Sequence, residues 1–178
     1  MTCIVGLEYD GKVYMGGDSE AASGWDMTVV DSPKVFKNDK FLIGYTSSFR
    51  MGQLLEYTLD VPENKLDDDK KYLITEFIPA VRSCLKDGAY TKIENNQESG
   101  GFFLLGYNKK LYEVAENFQV LRTTSGFLSI GAGSSYALGA MDILRTRNMS
   151  PEDALLWALR TAGKFSNGVC SPYYVYSL

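Results

Sequence analysis

Thr2-Cys3-Ile4-Val5-Gly6-Leu7-Glu8-Tyr9-Asp10-Gly11-Lys12-Val13-Tyr14-Met15-Gly16-Gly17-Asp18 is the stretch that decides how this chain folds. Two runs of apolar and β-branched residues flank Asp10-Gly11. That pair suits the centre of a two-residue hairpin, where both positions take positive φ. Folded back on itself, the stretch places Thr2 and Asp18 at the same end of the hairpin. Its first strand starts almost at the terminus, which anchors an end that commonly frays.

Further strand signals follow outward. Val35-Phe36 and Phe41 to Tyr45 are joined by a turn at Asn38-Asp39-Lys40. Gly101 to Tyr107 and Leu111 to Val114 are joined by Asn108-Lys109-Lys110. Leu128 to Gly131 and Tyr173 to Tyr176 complete the set. A helical period takes over from Phe49 to Leu59, with Met51, Leu54, Leu55 and Leu59 on one face. Lys71 to Asp87 forms a second helix, with Leu73, Phe77, Val81 and Leu85 at four-residue steps and Gly88 as its stop. Ser134 to Arg147 forms a third. The fourth opens with Ser150-Pro151-Glu152-Asp153, a cap, a first-turn proline and two first-turn acids, and runs to Phe165. Pro62 to Asp69 and Asn95 to Gly100 read as polar loops.

Strands thus arrive as hairpins between pairs of helices. That order predicts an α+β layered domain of antiparallel sheets with helices outside, not a doubly wound parallel sheet. No linker or repeat divides residues 1–178, so a single domain is expected.

Composition narrows the chemistry. The chain has 178 residues, with 18 Lys+Arg against 22 Asp+Glu, a net charge of −4. That balance argues against nucleic acid as a partner. There is no histidine. No Ser-His-Asp or Cys-His arrangement and no His-bearing zinc site can be built from this chain. A general base must be a carboxylate, a Lys, a Tyr, a Cys or a terminal amine. Cys3, Cys84 and Cys170 are far apart and read as small buried residues of a reducing compartment. Asp67-Asp68-Asp69 reads as a solvated acidic loop, not a metal site, and no GxGxxG or phosphate-loop Lys is present. No cofactor and no metal are expected. No apolar run approaches the ~20 residues of a membrane helix, and no signal-peptide pattern appears. A cytoplasmic protein without membrane contact is expected.

Nucleophilic chemistry without histidine is available at the N-terminus. Small second residues permit removal of the initiator Met. Thr2 would then carry a hydroxyl and a free α-amine together. An α-amine with an ordinary pKa of about 7.7–8.0 is partly neutral near pH 7 and can act as base for its own hydroxyl. Asp18 closes the second strand, and Lys34 opens the next. A Lys beside a carboxylate and the hydroxyl would stabilise developing negative charge.

These residues carry a resemblance. Thr2 to Gly6, Gly17-Asp18-Ser19 with Ala21 and Ala22, and Pro33 to Lys40 running into Ile43-Gly44 resemble the proteasome β-subunits and HslV-like proteins, within the N-terminal nucleophile (Ntn) hydrolases. So do Phe103 to Tyr107 with Leu111-Tyr112, Ile130 to Ala137, and Met149 to Ala154. The resemblance implies a four-layer αββα sandwich of two antiparallel sheets flanked by helices. It implies a threonine peptidase acting on polypeptides, self-associated into rings, with an ATP-dependent unfoldase as a further partner. By the same resemblance Thr2 matches the nucleophile, Asp18 the acid and Lys34 the lysine. Ser47, with Ser48 beside it, occupies the loop that supplies the oxyanion donor, where the family usually has Gly. Ala132 stands where the family has a Ser that assists the terminal amine, leaving Ser19, Ser134 and Ser135 as the nearby hydroxyls. Lys164 stands where proteolytic members often carry an Asp. Those two departures, together with any retention of Met1, motivate one alternative to the peptidase, a catalytically impaired ring or scaffold subunit. An Ntn amidase acting on a small amide is the other alternative.

Overall fold

The computed structural model describes residues 1–23 and 26–178. The opening stretch forms the expected hairpin: β1 (Cys3–Tyr9) and β2 (Lys12–Gly17) pair antiparallel from Ile4 opposite Gly17 to Tyr9 opposite Lys12. Asp10 and Gly11 both take positive φ, as that turn demands. A short hairpin follows, β3 (Glu20–Ser23) and β4 (Asp26–Val29). Then come β5 (Val35–Asn38), β6 (Phe41–Tyr45) and the first helix α1 (Phe49–Tyr57).

The second expected helix is longer at its start than its periodicity suggests, and it is not uniform. α2 (Asp69–Tyr72) runs into a π turn (Leu73–Phe77) and then α3 (Ile78–Asp87). Pro79 lacks the N–H that would close a regular turn, and its ring crowds the carbonyl four residues back. The preceding turn widens, and the Ile78 N–H donates to the Leu73 carbonyl five residues back.

A second exposed hairpin, β7 (Lys92–Glu94) and β8 (Gln97–Ser99), occupies most of the stretch read as a polar loop. Asn95 and Asn96 both take positive φ and make the tight turn between its strands. β9 (Phe103–Tyr107), β10 (Lys110–Val114), β11 (Val120–Leu121) and β12 (Phe127–Gly131) lead to α4 (Ser134–Leu144) and α5 (Pro151–Phe165), and β13 (Tyr174–Ser177) closes the chain. The Ser150 side chain caps α5 by accepting from the Asp153 N–H.

Two main antiparallel sheets result, ordered β12-β1-β2-β13 and β11-β10-β9-β6-β5. Alternation along β1 explains why it is apolar without interruption from Cys3 to Leu7. Cys3, Val5 and Leu7 face α4 and α5, against Ala137, Met141, Leu155 and Leu159. Ile4 faces the other sheet, where it packs with Val13, Met15, Leu42, Leu104 and Leu111. On its far side the second sheet packs Phe41, Ile43, Phe103 and Leu105 against Met51, Leu55, Phe77, Val81 and Leu85. The layers are therefore α, β, β, α, as the resemblance implies. Close approach of the sheets needs a glycine at position 44, where a Cβ would lie 2.6 Å from Ile4 Cγ2.

Candidate active site

The hairpin register builds the site. The Asp18 amide donates to the Cys3 carbonyl at 3.3 Å, extending the β1–β2 pairing by one step and bringing Asp18 beside Thr2. The Cys3 amide in turn donates to Asp18 Oδ1 at 2.9 Å, and the Glu20 amide to Oδ2 at 2.9 Å. Lys34 precedes β5, and its carbonyl accepts from the Tyr45 amide, which sets its side chain across the same end of both sheets.

Lys34 Nζ lies 3.0 Å from Thr2 Oγ1, 3.0 Å from Asp18 Oδ1 and 3.1 Å from Oδ2. Thr2, Asp18 and Lys34 are all buried, Asp18 completely and Lys34 to within 2%. The three expected residues are thus brought together in one contact. A buried ion pair is tolerated when its remaining donors and acceptors are satisfied. Here the ammonium has three acceptors, and the carboxylate adds two backbone donors. The arrangement places positive charge against the hydroxyl oxygen of Thr2. The Thr2 hydroxyl donates to the Met1 carbonyl, and with Met1 attached the Thr2 nitrogen is an amide.

The loop after β6 meets the same cavity. Thr46, Ser47, Ser48 and Phe49 line it with Met1, Thr2, Glu20, Ala21, Ala22, Lys34 and Tyr45, around a volume of about 100 Å³. Ser47 has φ +79°, and the Ser48 amide donates to the Thr46 carbonyl two residues back, a tight turn around Ser47. Ser48 is the N-cap of α1, its hydroxyl accepting from the Arg50 amide. The amino end of a helix, with its partial positive charge, therefore opens beside Thr2.

The other serines lie apart from this contact. The Ser19 hydroxyl donates to the Pro172 carbonyl at 2.6 Å. Ser134 opens α4 half-buried, and Ser135 is exposed. Neither has a side-chain hydrogen bond to Thr2, Asp18 or Lys34 among the described residues. Ala132 is exposed, and Lys164 is exposed on α5 with its Nζ 5.6 Å above the Phe165 ring. Cys3 adjoins Thr2, but burial pushes its thiol up to about 12, so it stays protonated and unreactive.

The backbone of Gly131-Ala132-Gly133 does hold Thr2. The Gly133 amide donates to the Thr2 carbonyl at 3.2 Å. Gly131 has φ +94°, and a Cβ there would fall on the Thr2 carbonyl oxygen and 2.9 Å from its carbon. Gly131→Ala is therefore expected to lower the melting temperature by several degrees, the strain alone being about 1–2 kcal/mol, and to move Thr2 off Lys34 with loss of activity. An unchanged melting curve would show that the backbone here relaxes freely.

Glu20 was not anticipated. It lies two residues past Asp18, on the same face of an extended segment, and lines the cavity. That spacing is the one sequence signal that could have found it.

No profile of a known protein family matches the chain. It is 25% identical over 169 residues to the ATP-dependent protease subunit ClpQ of Bacillus velezensis, covering 92% of this chain and 88% of the relative. The structure is similar to that of Thiobacillus denitrificans BPH, solved in complex with epoxomicin, with a TM-score of 0.81, 20% identity, and coverage of 99% and 98% of the two chains. It is also similar to HslV from Trypanosoma brucei, with a TM-score of 0.71, 18% identity and 99% of each chain covered. Over nearly its whole length, the chain is similar to the HslV-like Ntn hydrolases and shares their fold.

Proposed function

We propose that this protein is a threonine peptidase whose nucleophile is the hydroxyl of Thr2, freed by removal of Met1. The observation that carries the reading is the contact of one buried ammonium, Lys34, with both Thr2 Oγ1 and Asp18. The relative from Bacillus velezensis is named as a protease subunit, which favours a peptidase over a silent scaffold or a small-amide hydrolase.

In the proposed reaction the Thr2 oxygen attacks the carbonyl carbon of a peptide bond. Its proton passes to the Thr2 α-amine, directly or through a water. Negative charge moves to the carbonyl oxygen, where the Ser47 N–H and the amino end of α1 stabilise it. The C–N bond then breaks. The leaving amine takes the proton held by the α-ammonium, and an ester to Thr2 remains. Water attacks the ester, gives its proton to the α-amine, and releases the acid with Thr2 restored. Lys34 lowers the energy of the oxygen while it is charged, and Asp18 holds Lys34 in place.

Self-association into a ring of identical subunits belongs to the same reading, as does an ATP-driven unfoldase that feeds it. Ile143, Trp157 and Phe165 are exposed apolar residues on α4 and α5, a surface suited to association.

The experiment is the mass of the chain purified from its native host. Loss of one Met is expected. Active protein with Met1 intact would overturn the mechanism. Peptide mapping after epoxomicin treatment is expected to find the adduct on Thr2; label elsewhere would place the nucleophile elsewhere. A strict monomer by native mass at working concentration would overturn the ring.

A further inference from the structure

We propose that Glu20 makes the cavity over Thr2 a receptor for a cationic group carried on the acyl side of the scissile bond. The inference deepens the peptidase reading and rests on it.

Glu20 opens β3, and its amide is tied to Asp18. Its side chain is in a different position. The residue is 2% exposed and lines the cavity, yet its carboxylate accepts no hydrogen bond from the described residues. Among those residues no sealed side-chain polar atom lacks a partner. The unpaired carboxylate therefore opens onto the cavity. A carboxylate held there loses water without gaining a donor in return. Desolvation and then the Asp18 charge raise its proton affinity, while Lys34 and the terminal ammonium of the chain oppose them.

Lys34 cannot complete Glu20, because its three protons face Asp18 and Thr2. The Thr2 amine brings Glu20 no counter-charge, since it must be neutral to act as base. Among the described residues the other positive charge acting on Glu20 is the ammonium of Met1, and Met1 is the residue whose carbonyl accepts the Thr2 hydroxyl. Met1 thus presents in cis what an incoming acyl group would present: a carbonyl at Thr2 Oγ1 and a positive charge acting on Glu20. Removal of Met1 withdraws that charge and widens the cavity. A substrate cation would restore the pair, whereas a neutral group would leave a buried carboxylate without a partner. The Tyr45 and Phe49 side of the cavity suits the stem of a Lys or Arg.

The cation has two sources, a Lys or Arg side chain or the free α-ammonium of an N-terminal residue. Paired fluorogenic peptides distinguish them. One pair carries Lys or its uncharged analogue norleucine on the acyl side, both acetylated. The other carries Met with a free or an acetylated amine. At least one charged probe is expected to exceed its neutral partner in kcat/KM by about tenfold, equivalent to about 1.4 kcal/mol. That ratio is expected to fall to near one in Glu20→Gln and to keep its sign in Glu20→Asp. A ratio near one on both arms of the wild type, or one that survives Glu20→Gln, overturns the proposal. Binding of the same probes to Thr2→Ala and to Thr2→Ala/Glu20→Gln gives the ratio without chemistry. Failure of turnover with charge-selective binding would sink the peptidase reading alone, and equal binding would sink this one.

Discussion

Thr2→Ala is expected to lower peptide turnover by about 10⁴-fold or more, the scale seen when a covalent nucleophile is deleted. The substitution is clean for a physical reason. Ala is also a small second residue, so removal of Met1 and a free α-amine are expected for the variant as for the proposed peptidase. The hydroxyl disappears, together with the γ-methyl. The fold loses one hydrogen bond from Lys34, which keeps both oxygens of Asp18, so the melting temperature should move little. Thr2→Ser, which keeps the hydroxyl and the amine, is expected to retain measurable turnover. Steady-state hydrolysis of a fluorogenic peptide checks both activities, and a melting curve checks the stability. Unchanged turnover in Thr2→Ala would place the chemistry at another residue.

Lys34→Met is expected to damage both activity and stability. It removes the cation from a pair in which Asp18 is completely buried. The carboxylate keeps its two amide donors but loses its counter-charge, and breaking a buried pair in this way costs about 3–5 kcal/mol. For a domain of this size that is a fall of about 6–20 °C in melting temperature, measured at fixed protein concentration because self-association shifts the value. Turnover should fall by about 10²–10³-fold or more, the loss expected when a group aimed at developing charge is removed. The double variant Asp18→Asn/Lys34→Met removes the stranded charge, so much of the stability should return while activity does not. An unshifted melting curve for Lys34→Met would show that Asp18 is solvated in solution and the pair is not sealed.

Much of this site is legible in the sequence because it hangs on one turn. Asp10-Gly11 sets the β1–β2 register, the register puts Asp18 beside Thr2, and Lys34 reaches them from just ahead of β5 in the other sheet. Helices with a clear apolar face, such as α5 with its cap and first-turn proline, are equally readable. The exposed hairpins are not. β4 is exposed along its whole length, and β7 likewise. With no buried face there is no alternation to read, and polar residues then suggest a loop. Asn95-Asn96 between β7 and β8 is a turn signal that a strand reading could have used. Ser134 and Ser135 illustrate a different limit. Nearness in sequence to a glycine loop does not say where a hydroxyl points, and α4 carries both away from any hydrogen bond to Thr2. Glu20 shows the same limit in reverse, since burial of a charged side chain depends on what the rest of the chain places around it.

The π turn at Leu73–Phe77 works as a phase correction. Leu73, Phe77, Val81 and Leu85 recur every four residues and are all buried. In a regular helix each four-residue step overshoots a full turn by about 40°, so a long row of such steps would spiral off the face it started on. The wider turn advances fewer degrees per residue and brings the row back into line. The extra residue it contains is therefore geometric slack. Removing one of the outward-facing positions 74–76 would shorten one step of the row to three residues, still turned toward the same core, and Pro79 would remain as the break in the helix's hydrogen bonding.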